Sequence, residues 1–227
     1  MNIHSLAEIM TQPSVAPVIQ DNMPARSRED EILDRIRSIF AEKGFDGASM
    51  QELARAAGMS VGNFYRYFPS KAAMVEALIS RDLAEVNEKF ACIAAAPDPL
   101  QALRCGLHER VAEGCAALEE ERAMWAEITA AAHRRPEIGG AVNRLEQEIS
   151  GYLCRAFGLA AGLSPEVAER RFGAHARTAI TLVRASALMS AGAGQGPDTE
   201  LTVLLQRMID VILEDVRAAG AAVPKEV

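Results

Sequence analysis

Between Ser49 and Lys71 the chain carries Ser49, Ser60, Asn63, Tyr65, Arg66, Tyr67 and Lys71, a run of hydrogen-bond donors broken by one acid, Glu52. Arg55 completes a set of three bases against that acid, in a chain whose formal net charge is −7. This inventory suits recognition of an anionic polymer. A guanidinium fork matches guanine or a phosphate, and an amide donates and accepts at once on a base edge. Hydroxyls and an ammonium suit phosphate oxygens. Val61 and Gly62 are short and let the backbone come close.

The elements that must hold these groups are legible from caps and breakers. Ser49-Met50-Gln51-Glu52 is a capping box that opens a short helix ending at Ala57, with Gly58 as the stop. Ser60 is a second N-cap and opens a helix from Val61 to Phe68, closed by Pro69. Ser70 caps the long helix that follows. Two short helices joined by Gly58-Met59-Ser60 fit a helix-turn-helix, whose second helix enters the major groove with its N-terminal residues at the base edges. Upstream, Ile32, Leu33, Ile36, Ile39 and Phe40 lie on one helical face. Gly44 is expected as a left-handed cap, with Phe45 packing back on the last turn. Leu53, Ala57, Met59, Val61, Phe64 and Phe68 have the spacing of core residues. Tyr67 divides evenly between a half-buried and a contact role.

The successive runs AEKGFDGAS, ELARAAGMS and NFYRYFPSK make the stretch from Ile32 to Leu78 resemble the DNA-binding segment of the TetR family of regulators. The resemblance implies an all-helical homodimer whose remaining helices bind a ligand and dimerise. It implies phosphate contacts from Ser49, Tyr65 and Lys71, and a groove-facing set of Ser60, Gly62, Asn63 and Arg66. Where the family often has lysine after the N-cap serine, this chain has Val61, which implies either one phosphate contact fewer or a contact to a thymine methyl instead.

The chain therefore divides into a flexible leader over 1–24, a helix-turn-helix domain over 25–72 and a ligand-binding and dimerisation domain over 73–220. Helical periodicity continues to the end, giving an all-α chain of about nine helices: a three-helix domain followed by a bundle. The last two helices, at 165–190 and 199–217, are expected to form the dimer interface. Ala179, Leu182, Val183 and Ser186 supply it from one, and Leu205, Met208, Ile209 and Ile212 from the other. A glycine-rich loop at 192–197 separates them. Trp125, Tyr152, Phe172 and His175 are the candidate effector contacts, each weighed against ordinary core packing. Arg177 and Arg184 share a helix face and suit interface salt bridges or an anion.

Composition narrows the function classes. About half the residues are hydrophobic but only 5% are aromatic, so the core is built from aliphatic and small side chains, which favours helix. No nucleophile motif, phosphate loop or metal-ligand spacing is present, so neither catalysis nor a cofactor is expected. Cys92, Cys105, Cys115 and Cys154 show no C-x-x-C pair and read as buried free thiols of a cytoplasmic protein. No secretory signal or membrane-length apolar run is found. The reading is a repressor released from a palindromic double-stranded operator by a small-molecule effector. The alternatives are a regulator without such an effector, and a small-molecule-binding protein without a DNA role.

Overall fold

The protein is described here from a computed structural model that covers residues 27–117, 119–188 and 198–221. The leader and the 192–197 loop lie outside the described residues. Nine helices and no strand occur among the described residues, in agreement with the all-α expectation. They are α1 (Arg28–Gly47), α2 (Met50–Ala56), α3 (Val61–Tyr67), α4 (Lys71–Ala95), α5 (Pro99–Ala116), α6 (Glu119–Arg134), α7 (Pro136–Ala161), α8 (Pro165–Leu188) and α9 (Thr199–Ala221).

Their ends are chemically marked. Ser27 and Asp30 form one capping box and Ser49 and Glu52 another, while Ser60, Ser70 and Asp98 cap α3, α4 and α5. Pro99 and Pro136 stand in first turns, where no amide partner is lost. Gly44 has φ 71°, so α1 kinks there and resumes for one short turn instead of ending. Gly58, with φ 70°, makes the turn between α2 and α3.

The side chains form two apolar clusters. One joins α1–α3 to Met74, Val75, Leu78 and Ile79 of α4, Met124, Ile128 and Ala131 of α6, and Ile138 and Ala141 of α7. The other joins α5, the second half of α7, α8 and α9, with Phe90 and Ile93 of α4 packed against it. The boundary expected at residue 72 thus falls inside a continuous core. α4 runs from the first cluster to the second as a strut.

Two expectations are corrected. Cys92 and Cys105 are exposed, and only Cys115 and Cys154 are buried; helical placement does not say which face a thiol occupies. On the two last helices, Ala179, Ser186, Leu205 and Ile209 are buried within the protomer. The large apolar residues left open are Val167, Leu188, Val203, Leu204, Met208 and Val211. α9 is apolar on two faces, and the periodicity could not assign which faces the bundle.

Candidate nucleic-acid interface

α2 and α3 have seven residues each, too few to persist on propensity alone, so packing must hold them. Leu53, Ala54 and Ala57 are fully buried. Phe64 and Phe68 fill the space beneath α3, their rings 5.9 Å apart. Anchoring this face turns the other one outward. Val61, Gly62, Asn63, Tyr65 and Arg66 are exposed, and Tyr67 is half-buried. Val61 is 38% exposed and Met59 only partly buried, against their core-like spacing. Val61 stands at the helix end, one turn before the first buried residue, where the periodicity has nothing left to pack on.

The serines are engaged in capping while remaining exposed. Ser60 Oγ accepts from the Asn63 N–H at 3.3 Å. Ser49 Oγ accepts from the Glu52 N–H at 3.2 Å and donates to Glu52 Oε2 at 2.8 Å. Glu52 also takes a hydrogen bond from Lys43. That bond first, then the Ser49 donors, hold its carboxyl down at about 2. The one acid of the segment is therefore neutralised within the fold. Arg35 Nη1 donates to the Ala57 carbonyl at 3.2 Å and caps α2. Among the described residues, Arg55 and Arg66 have no ion-pair partner. Arg55, exposed on α2, was counted as charge in the sequence but not as a contact; its free guanidinium appears only once the other charges are seen to be paired.

Lys71 has a second role. Its ammonium donates to the carbonyls of Phe45, Asp46 (3.3 Å) and Ala48 (3.0 Å), and lies 5.0 Å from the centre of the Phe45 ring. Burial pushes its pKa down. An ammonium has three protons, and three carbonyls are within reach, so the group pins the α1–α2 connection to the start of α4.

The same connection is held from the other side. Glu127 of α6 accepts from the Phe45 N–H. Arg134 and Arg135, at the α6–α7 junction, pair with Asp46, and the Arg135 guanidinium lies 5.4 Å from the Phe45 ring centre. The Arg135 hydrogen bond chiefly lowers the Asp46 pKa. Residues 44–46 are thus gripped by α4 and by α6–α7.

The four effector candidates do not converge. Trp125 packs on the N-terminal cluster. Tyr152 stacks on Phe90, ring centres 5.2 Å apart, and the Arg155 guanidinium lies 4.6 Å from the Tyr152 ring centre. Phe172 and His175 do meet, edge to face at 5.5 Å. With Arg171 and Asp215 they line an open groove of about 380 Å³ between α8 and α9. His175 Nε2 is 3.8 Å from Asp215 Oδ2, and its buried Nδ1 has no hydrogen-bond partner. A second open groove, of about 580 Å³, lies between α1, α3 and α4. His108 joins Arg104 on Asp210, at 2.8 Å and 2.7 Å, and ties α5 to α9. Arg184 pairs with Glu146 within the chain.

Comparison with known proteins agrees with this geometry. The model of the family described as bacterial regulatory proteins, tetR family, matches residues 32–78. The HTH-type transcriptional regulator UidR of Escherichia coli is 28% identical over 148 residues, 60% of this chain and 69% of that one. Salmonella enterica GusR superposes with a TM-score of 0.59 at 24% identity, over 86% of this chain and 98% of that one. AibR, solved in complex with isovaleryl coenzyme A and operator DNA, gives 0.59 at 16% identity, over 81% and 98%.

Proposed function

We propose that this chain, whose residues 32–78 match the tetR family model, is a DNA-binding transcriptional regulator of that family, a homodimeric repressor released from a palindromic operator by a small-molecule effector. The observation that carries the operator reading is the outward face of α3. Asn63 and Arg66 are exposed there on a helix immobilised by Phe64 and Phe68. Asn63 and Arg66 read base edges, Gly62 lets the backbone approach, and Tyr65, with Ser49, Ser60 and Tyr67 at the edges, holds phosphates. Lys71 sets the angle between α1–α2 and α4, and reaches a phosphate only by releasing a carbonyl.

A second copy covers α8 and α9. Leu204, Met208 and Val211 recur at helical spacing on an open face of α9, and an isologous contact is the commonest way to bury such a stripe. On α8, the Thr178 and Thr181 hydroxyls bond to the carbonyls of Ala174 and Arg177. Both threonines are exposed, and their short side chains let a facing helix approach closely. The pairing would set two recognition helices about 34–36 Å apart, one turn of DNA.

The effector acts by population shift, and its leverage is limited to its differential affinity for the two states, typically about 1–3 kcal/mol. Phe172, His175 and Arg171 offer an aromatic wall with two polar anchors. Trp125 and Tyr152 would respond only indirectly. The physical route to the DNA is the grip of Glu127, Arg134 and Arg135 on residues 44–46, together with the α4 strut. No chemical step is assigned to the chain, and it acts in the cytoplasm, where the chromosome is. No described helix is long and apolar enough to cross a membrane.

A regulator controlled by a protein partner is the second reading, favoured by the fact that both grooves described above open on the surface. Selection from random duplex DNA at two salt concentrations tests the main reading. Enrichment of a palindrome, lost with Arg66→Ala and weakened with Tyr65→Ala, is expected. No enrichment would overturn it.

A further inference from the structure

Val61 is the first residue of α3 and the apolar side chain nearest the start of the recognition helix. The fold leaves it partly open. Phe64 and Phe68 fill the space beneath the helix and are almost completely buried, while Val61 is 38% exposed. Beside it Gly62 has open space, with nothing within 4 Å of where a β-carbon would stand. One turn on, Tyr65 is 45% exposed. Val61 and Tyr65 therefore make a small apolar ridge on a face whose other members, Asn63 and Arg66, are polar. No base lies at position 60, 61 or 62 to hold a phosphate instead.

We propose that Val61 is a specificity-determining residue that packs its methyls against the 5-methyl group of a thymine in each half-site. This rests on the operator reading above and deepens it. Only one base-pair component in the major groove offers an apolar group, the thymine methyl, and N-terminal residues of a recognition helix are the ones placed at base edges. Valine suits the task because a β-branched side chain in a helix keeps one dominant rotamer. Little side-chain freedom is lost on contact. The short side chain also brings the backbone at Gly62 close, which a lysine at 61 would hold away. The expected consequence is a half-site with a required thymine next to the base pair read by Asn63 or Arg66, not a site selected by charge alone.

The test uses the full chain and the duplex selected from random DNA. Each thymine is replaced in turn by uracil, which removes only the methyl, in one half-site and then in both. One symmetric position is expected to weaken binding about fourfold per half-site and about fifteenfold in both, the equivalent of one withdrawn methyl each. Val61→Ala should lose most of that discrimination. Val61→Lys should bind the thymine and uracil duplexes alike, with a steeper salt dependence by about one counterion per half-site. Thermal melting matching wild type confirms that both variants are folded, as an exposed position predicts. Equal binding of every uracil duplex by wild type, or undiminished discrimination in both variants, overturns the assignment while leaving the operator reading intact. If no duplex is enriched at all, the operator reading falls and this one falls with it.

Discussion

Glu127 of α6 accepts a hydrogen bond from the backbone N–H of Phe45 at 3.2 Å, across 82 residues of sequence. Gly44 makes the bond possible. Its positive φ turns the chain so that the Phe45 amide leaves the helix, and a β-carbon at Gly44 would stand 2.8 Å from Glu127 Oε2. Gly44→Ala combines backbone strain with this clash and should cost about 1–3 kcal/mol. Glu127→Ala leaves a part-buried amide unpaired, at about 1–2 kcal/mol. In the double variant the clash is gone but the strain remains, so its loss should be smaller than the two singles together. Melting curves of the four proteins decide. Strict additivity, or a Gly44→Ala variant as stable as wild type, would show that the contact does not constrain the kink.

Lys71 lends itself to a sharper comparison. Lys71→Met keeps the stem and removes three hydrogen bonds to carbonyls. It should lower stability by about 1–3 kcal/mol, and leave the salt dependence of operator binding nearly unchanged. A phosphate-binding lysine gives the opposite pattern: unaltered melting and a slope smaller by about one counterion per half-site. Both quantities come from the same pair of proteins, wild type and Lys71→Met, so the role suggested by sequence resemblance and the role seen in the fold are directly separable.

That contrast marks how far the sequence reached. Caps and breakers carry local information, and Ser49, Gly58, Ser60 and Ser70 placed α2, α3 and the start of α4 correctly. The outward set on α3 came from the family resemblance, while the helical period placed Phe64 and Phe68 in the core but misplaced Val61 there. What escaped was everything decided between distant segments. Lys71 and Phe45 meet only because α4 passes the α1 kink, and Glu127 reaches it from α6. Trp125 was assigned to the bundle but packs on the helix-turn-helix core, because α6 buries its apolar face, Met124, Ile128 and Ala131, in that cluster. Cys92 and Cys105 differ from Cys115 and Cys154 only in which face the packing selected.

The orientation of α9 gives a prediction about assembly. Leu204, Met208 and Val211 are exposed, whereas Leu205 and Ile209 are buried in the protomer. Met208→Glu combined with Leu204→Glu should abolish the dimer in sedimentation equilibrium, with helix content retained. Binding to a two-half-site operator should drop steeply. Leu205→Ala should instead cost about 2–5 kcal/mol of stability, with the dimer present wherever the chain is folded. Were the glutamate variant still dimeric, α9 would not be the interface.

Asp82 gives the protein a pH dependence with a definite sign. It lies midway along α4, and burial pushes its carboxyl up to about 6. Glu85 adds to the rise, and Arg81, Arg37 and Arg110 oppose it. In the unfolded chain the group titrates near the ordinary aspartate value of about 3.9. Between those two values the folded state holds a proton that the unfolded state has released. The contribution of Asp82 is therefore most favourable below the lower value, and is lost as pH rises through about 6. At higher pH the ionised carboxylate is a cost, about 1–3 kcal/mol for a displacement of this size. Asp82→Asn, which is neutral at every pH, should melt higher than wild type at about pH 8. The gap should narrow through pH 6 and close near pH 4, where both side chains are uncharged. Melting both proteins across that range checks it. A gap independent of pH, or an asparagine variant less stable at about pH 8, would mean that Asp82 is compensated by the arginines around it and that α4 carries no such strain.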